Sequence, residues 1–297
     1  MRTTRAVATI GAALLLVACG SSSPSARSVA PSNASGAGAV TTTIVVGADG
    51  SSTVLSGPDA GGGAAPPEPS SSSLGSATTL PTAPLDGSGV PGSFAADVLM
   101  PARSSAIDVA ISSQSSAAPR QESIDHLTTV LTDVSGKSVA VVSGPAVGGD
   151  AHDWTADELR ALVPPGSAPA GSRARITLLF VHGTLGGDKG VLGAAIRGDL
   201  AVIFVDRVDA AATPLVGSTG IEVAVVTHEV GHLLGLVDLY LHTGRQDPDH
   251  PGHSTDKHSV MYWAVESDLV GDLLQGGPPR EFDDADNADL ARIREGG

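Results

Sequence analysis

The sequence predicts an α/β or α+β domain built on one sheet, and three observations predict this class. From residue 103 onward, short β-prone segments alternate with amphipathic helical segments. This part of the chain has about 195 residues, which is enough to bury a full core. Residues 221–234 are apolar on nearly all sides, so a helix formed there must lie inside the domain.

The amino terminus is typical of an export signal. Arg2 and Arg5 precede an apolar run over residues 6–18, which is too short to span a bilayer. The run ends in Val-Ala-Cys19-Gly, which resembles the bacterial lipobox, where the signal is cut before a cysteine that is then lipid-modified. We therefore expect residues 1–18 to be a signal peptide and Cys19 to anchor a lipoprotein to the outer face of the membrane. An ordinary secretory signal, giving a secreted protein, is the alternative.

Residues 19–94 are expected to form a disordered linker. Between residues 20 and 93, Ser, Gly and Pro account for 39 of 74 residues, a composition that cannot build a core. Two short β-prone patches, residues 41–46 and 52–55, can pair as a hairpin, but an isolated hairpin is marginal in water. The domain that carries the function is expected over residues 95–297.

The elements of this domain follow from periodicity and from cap signals. Gly136 is expected to end a helix over residues 121–134, and Thr155 with Glu158 has the spacing of a capping box that opens the next helix. Asp283 or Asp284 is a candidate N-cap for a final helix within residues 282–293. The expected strands are residues 107–111, 138–142, 175–181, 191–196 and 200–205.

Charge and cysteine content exclude several classes of protein. The formal net charge is −15, which repels a polyphosphate and argues against nucleic-acid binding. The single cysteine, Cys19, excludes an intrachain disulfide and a multi-cysteine metal cluster. Histidine and carboxylate side chains are then the ligands available for a metal ion.

The buried helix carries a metal-site pattern. His228 and His232 lie one turn apart on the same face, so both rings can reach one ion. Glu229, beside them, suits a general base that takes a proton from a metal-activated water. Gly235 can take a positive φ, end the helix and return the chain toward the ion. Asp238 then supplies a third ligand and leaves one tetrahedral position open.

This pattern resembles that of the metzincin clan of zinc metallopeptidases, HExxHxxGxxH or HExxHxxGxxD. The aspartate form is similar to small bacterial metzincins of the snapalysin type, and the flanking sequence is similar to matrixins. The resemblance implies an α+β zincin domain with a twisted mixed sheet, a buried active-site helix and a C-terminal helix. It also implies that Met261, in the segment Ser-Val-Met-Tyr, forms the Met-turn, an apolar floor beneath the metal ligands.

The same resemblance implies a way of holding a substrate. In matrixins an extended peptide pairs its backbone with an edge strand, and Val191, Leu192, Gly193 and Ala194 fall in the comparable segment. Tyr262, directly after the methionine, is expected to pack or to shape the pocket. The structural zinc of matrixins is not expected, because its histidines are absent from this stretch.

The function that follows is a zinc-dependent endopeptidase with one catalytic Zn²⁺ and a protein or peptide substrate. Two alternatives are a non-catalytic zinc-binding surface lipoprotein and a zinc hydrolase of cell-wall peptides. The histidine-rich insert over residues 239–260 is either a solvated loop or a site for a further structural ion. His242 or His250 is an alternative to Asp238 as third ligand.

Overall fold

The structure is a computed structural model that describes residues 83–270 and 277–297, together with two short strands, β1 (Val45–Val46) and β2 (Ser52–Thr53). These strands pair antiparallel, as the hairpin considered for the linker requires. Contacts divide the chain into residues 1–41 and residues 42–297. The expected signal peptide, Cys19 and most of the expected linker lie outside the described residues.

One five-stranded mixed sheet organises the domain. Its strand order is β10-β11-β8-β4-β5, in which all neighbours are parallel except β10 and β11. The strands are β4 (Ala106–Ser113), β5 (Val139–Ser143), β8 (Arg173–Val181), β10 (Gly193–Arg197) and β11 (Leu200–Phe204). The one antiparallel strand therefore stands at an edge of the sheet.

Three pairs of short segments complete the strand inventory of the described residues. β3 (Leu85–Asp86) pairs antiparallel with β7 (Ser167–Ala168), and β6 (His152–Trp154) pairs parallel with β9 (Gly183–Leu185). Leu85 is buried in the main core. Folded structure thus begins before residue 95, where the sequence had placed the domain boundary, because Leu85 and its strand pairing belong to the domain.

Helices cover both faces of the sheet. The helices are α1 (Ala95–Leu99), α2 (Gln121–Ser135), α3 (Ala156–Leu162), α4 (Val205–Ala210), α5 (Ser218–Leu233) and α6 (Asp284–Arg294). One large core joins the sheet to α1, α2, α5 and α6. A smaller core, which includes Trp154, Leu159 and Phe204, lies between α3 and the opposite face. The order of layers confirms a mixed α and β architecture.

The local signals read from the sequence account for several boundaries. Gly136 has a φ of 67° at the C-cap of α2, where glycine meets no Cβ penalty. Thr155 and Glu158 form the reciprocal capping box that opens α3. Asp283 caps α6 by accepting a hydrogen bond from the amide of Asp286. No helix that the structure describes has the length and hydropathy needed to cross a membrane.

Candidate metal centre

Helix α5 runs beneath the edge of the sheet and is buried along almost its whole length. It contacts β10 and β11 on one side and α2 on the other, which explains why its sequence is apolar all round. His228, Glu229 and His232 nevertheless lie inside, with exposures of 0%, 0% and 7%. Three polar side chains in an apolar helix need partners, because an unpaired buried polar group costs free energy.

The two helix histidines converge as their spacing predicts. Their Nε2 atoms lie 3.1 Å apart, close to the separation of about 3.3 Å that two nitrogens have on one tetrahedral zinc ion. Nδ1 of His228 donates a hydrogen bond to the carbonyl of Val260 at 2.7 Å. Since that carbonyl can only accept, the neutral His228 ring keeps its Nε2 lone pair free for a metal ion.

Two further residues join this pair. The ligand atoms of His228, His232, His253 and Glu266 all lie within 4.8 Å of one another. The His253 ring stacks on the His228 ring with centroids 5.2 Å apart, and meets the His232 ring edge-on at 4.9 Å. Glu266 places its carboxylate oxygens 3.1 Å from Nε2 of His253 and 3.5 Å from Nε2 of His228. We call these four residues the His/Glu cluster.

His253 reaches the cluster through the backbone of the insert. Ser254, its neighbour, bridges to Gln246 on one side and to Tyr262 on the other, and its amide donates to the carbonyl of Met261 at 2.8 Å. The carbonyl of His253 accepts from the amide of Asp247 at 2.7 Å. These contacts fix the insert against Met261 and Tyr262, which places the His253 ring beside α5.

Asp238 does not join the cluster. Gly235 has a φ of 81° and turns the chain as expected, but Val237 and Asp238 follow at 50° and 67°, a left-handed conformation that is uncommon for residues other than glycine. The Asp238 carboxylate accepts hydrogen bonds from the amides of Thr243, Gly244 and Gln246, and from the Thr243 hydroxyl.

These bonds hold Asp238 on the insert and away from the metal-binding rings. Burial alone would raise the pKa of Asp238, but the hydrogen bonds from Thr243, Gln246 and Gly244 lower it on balance. The Asp238 carboxylate therefore stays charged and orders the insert.

Glu229 occupies a different place from the His/Glu cluster. A Cβ built on Gly193 of β10 would lie 2.6 Å from its Oε1, so the carboxylate lies directly against the edge strand and needs glycine there. Both carboxylate oxygens are buried without a hydrogen-bond partner of normal geometry in the described part of the chain. Burial raises the pKa of Glu229 well above its ordinary value, the charge of Glu266 raises it further, and the nearby amide of Ala195 opposes this.

The other histidine ring nitrogens of the site also make few hydrogen bonds. Nδ1 of His232 and Nδ1 of His253 have no hydrogen bond among the described residues, and Nε2 of His253 has only the 3.1 Å contact with the Glu266 carboxylate. Burial lowers the pKa of His232 well below its ordinary value, and the neighbouring His228 lowers it further. A neutral imidazole is the form that binds a metal ion.

Met261 lies beneath the helix turn that joins the two histidines. It is fully buried, and a Cβ built on Gly231 would approach its Sδ to 2.3 Å. The glycine therefore lets the methionine pack directly against the backbone between His228 and His232. The role of Met261 as the apolar floor of a Met-turn stays a prediction.

We expect Gly231→Ala to destabilise the protein by about 1–3 kcal/mol, because the added methyl group overlaps Met261 in a closed core. Urea unfolding of the variant measures this loss. Met261→Ala alone should also destabilise, through the cavity it leaves. The double variant should lose less than the sum of the two, because the methyl group enters space that the methionine left. Strict additivity would contradict the contact.

The edge strand differs in extent from the expected segment. β10 begins at Gly193, and the two residues before it pair with the chain that follows Met261. Leu192 donates its amide to the carbonyl of Glu266 at 2.8 Å, and Val191 bridges to Ser267. Leu192 is also fully buried. Val191 and Leu192 are therefore already paired within the chain, whereas Gly193 and Ala194 belong to the edge strand.

The free edge of β10 can be located from its pairing. Because the amide of Phe204 donates to the carbonyl of Leu192, the alternation of an antiparallel pair directs the backbone groups of Gly193 and Ala195 away from β11. Tyr262 lies half-buried near this region, packed against the main core and 5.6 Å from the Trp263 ring. Among the described residues, this outward edge of β10 lies beside Glu229, whose carboxylate is close to the amide of Ala195.

The other histidines of the insert lie apart from the cluster. His250 stacks on Trp263 with ring centroids 4.4 Å apart, and His242 is exposed. His258 contacts only the nearby Asp256 within the insert. Within residues 83–270 and 277–297, no second group of three metal-ligating side chains comes together.

Neither His253 nor Glu266 is predicted by the sequence to belong to the site. His253 was one of several polar residues in an insert without standard ligand spacing, and Glu266 follows the methionine by five positions. The available signal was the insert itself, a histidine-rich segment directly after a zinc motif. That signal marks the segment but does not select one histidine from it.

No protein-family model matches the sequence, and a search of curated proteins finds no match. A search of solved structures finds similarity to an archaemetzincin from Archaeoglobus fulgidus, crystallised in complex with malonate. The TM-score is 0.39 at 17% sequence identity, and the match covers 62% of this chain and 99% of the other.

Proposed function

We propose that the protein is a zinc-dependent peptidase whose metal ion is held by His228, His232 and His253. The observation that carries the proposal is the convergence of ring nitrogens from three histidines, which lie within 4.8 Å of one another beside the buried Glu229 of α5. Three nitrogen ligands suit zinc. Zinc in such a site lowers the pKa of water and polarises a carbonyl group.

The donor set fits that ion by its chemistry as well as by distance. The Val260 carbonyl holds the His228 ring with its Nδ1–H occupied, which leaves Nε2 to face the metal position. Burial lowers the pKa of His232, which favours its neutral, metal-binding form. Nε2 of His253 contacts only the Glu266 carboxylate, at 3.1 Å, and its Nδ1 has no hydrogen-bond partner among the described residues. A cation bound by these ring nitrogens would compensate for the hydrogen bonds that they lack.

The protein groups around the site suit peptide hydrolysis. Glu229 is the general base that takes a proton from water and passes it to the leaving amine, a role that its buried position and raised pKa favour. The outward backbone groups of Gly193 and Ala195 are suited to pair with an extended peptide. Main-chain pairing tolerates many side chains, so we propose a protein or peptide substrate.

A non-catalytic zinc-binding module is the second candidate, and one observation favours it. Glu266 adds a fourth protein ligand to the three histidines, and four protein ligands are typical of structural zinc sites. Against it stands Glu229, a fully buried carboxylate next to the site that has no hydrogen bond of normal geometry among the described residues and that a structural site does not need.

The proposed setting of the enzyme is the outer face of a bacterial membrane. This part of the proposal rests on the amino-terminal sequence, where the lipobox-like segment ends at Cys19. Mass spectrometry of the protein isolated from membranes would detect the lipid on Cys19. A mature chain that still carries residues 1–18 would contradict it.

The test of the function combines metal content with cleavage. We expect one zinc ion per chain by elemental analysis, and cleavage of an unfolded protein that stops with a chelator and returns when zinc is added. Cleavage sites are read by mass spectrometry. A chain that holds zinc but cleaves no peptide bond would favour the non-catalytic module, and a chain without zinc would exclude both.

A further inference from the structure

We infer that residues 266–268 act as an internal gate, with Glu266 as a displaceable fourth ligand that closes the metal site until a substrate takes its place. This inference rests on the proposed function. It concerns how the site is kept closed, and it assigns to Glu266 a role different from that of the three histidines.

Glu266 lies on a different kind of element from the three histidines. The three histidines are fixed by α5 and by the hydrogen-bonded insert, whereas Glu266 is the last residue of a short 3-10 helix (Trp263–Glu266). The Glu266 side chain is 29% exposed to solvent, whereas the side chains of His228 and His253 are 0% and 14% exposed. Among these three side chains it is the one nearest to solvent, and so the easiest to withdraw.

The second observation is what the same segment does to the sheet edge. The Glu266 carbonyl accepts from the amide of Leu192, Ser267 bridges to Val191, and the Asp268 amide donates to the carbonyl of Gly190 at 2.8 Å. Residues 266–268 thus pair antiparallel with the chain leading into β10, as an extended peptide would. One segment therefore pairs with the chain directly before the outward edge of β10 and also supplies the carboxylate of the His/Glu cluster.

These two observations give the gate a physical basis. A catalytic zinc site keeps one position open, and four protein ligands close it. A peptide that pairs with the β10 edge and presents its carbonyl group competes with the Glu266 carboxylate for that position. Binding of substrate and release of Glu266 are therefore coupled, and the site stays closed when no peptide is present.

The test uses acetohydroxamate, a small anion that needs an open zinc position. We expect Glu266→Ala to keep one zinc per chain. It should bind acetohydroxamate at least about tenfold more tightly than wild type, which corresponds to about 1.4 kcal/mol of binding free energy. The absorption spectrum of the cobalt-substituted protein should also change, because one ligand is lost. Asp249→Ala, which removes an exposed carboxylate of the insert outside the His/Glu cluster, should leave the affinity for acetohydroxamate unchanged.

The outcomes separate the gate from the function. If Glu266→Ala and Glu266→Gln both lose the zinc ion, Glu266 is a permanent structural ligand and the gate is excluded. If zinc stays and acetohydroxamate affinity does not rise, the gate is also excluded, while zinc-dependent cleavage by wild type would leave the peptidase standing. A wild-type chain without zinc would remove the proposed function itself.

Discussion

His253→Ala should lower the zinc affinity of the protein by about 100-fold or more, since loss of even an outer-shell partner costs 10–100-fold. The expectation follows from the position of the ring, which stacks on His228 and meets His232 edge-on. Competition with a chromogenic chelator measures the affinity. Zinc content after dialysis should fall from one ion per chain toward zero.

Two variants serve as controls for this loss. His250→Ala removes a histidine from the same insert, but this ring stacks on Trp263, so zinc should be retained. Asp238→Asn removes the charge of the ligand expected from the sequence while keeping an acceptor for the amides of the insert. It should also retain zinc. The reverse result, zinc lost in Asp238→Asn and kept in His253→Ala, would restore the ligand set expected from the sequence.

The contrast between Asp238 and His253 shows what the sequence could predict. The helix pair is a local property, because four residues along an α-helix always place two side chains on one face. The turn at Gly235 is local too, since a positive φ favours glycine. Both features appear in the structure, together with the capping box of α3 and the N-cap of α6.

The third histidine depends on distant pairing. His253 is placed because Ser254 bridges to Gln246 and Tyr262, and no periodicity in the insert encodes those bridges. Asp238 has the spacing of a ligand, but the amides at residues 243, 244 and 246 capture its carboxylate. A carboxylate in a loop satisfies whichever donors fold nearest to it, which spacing alone does not reveal.

The sequence predicts a strand over residues 191–196, but the strand β10 begins two residues later, at Gly193. The reason is again a long-range contact. The apolar pattern of residues 191–196 is continuous, so nothing local separates Leu192 from Gly193. The separation comes from Glu266 and Ser267, which pair with Leu192 and Val191 across more than seventy positions. Long-range register of this kind sets both the length of the free edge and the access to the metal site.

Glu229→Gln should lower kcat/KM for an unfolded protein substrate by about 10²–10⁴-fold, the usual contribution of a general base. Zinc content should stay at one ion per chain, because the Glu229 carboxylate lies against Gly193 and outside the His/Glu cluster. The amide has nearly the same shape, so folding should be preserved. Cleavage at the wild-type rate by the zinc-loaded variant would remove Glu229 from the mechanism.

The pH profile gives this prediction an independent readout. Burial and then the charge of Glu266 raise the pKa of Glu229 above the ordinary value of 4.5. As pH falls through the raised pKa, the carboxylate gains a proton and can no longer act as a base. The acid limb of kcat/KM in the wild type should therefore lie above pH 4.5, and it should vanish from the residual activity of Glu229→Gln.

Glu222→Gln is the matched control on the same helix, two turns earlier. Glu222 is equally buried, but it pairs with Arg120 and accepts from the Ser123 hydroxyl, so its role is to hold α5 against α2. Loss of that charge should lower Tm, because the fully buried carboxylate no longer pairs with Arg120, which keeps only the exposed Asp209 as an ionic partner. The folded fraction should keep its kcat/KM and acid limb. Stability falls in one variant and catalysis in the other, so the pair separates a general base from a structural carboxylate.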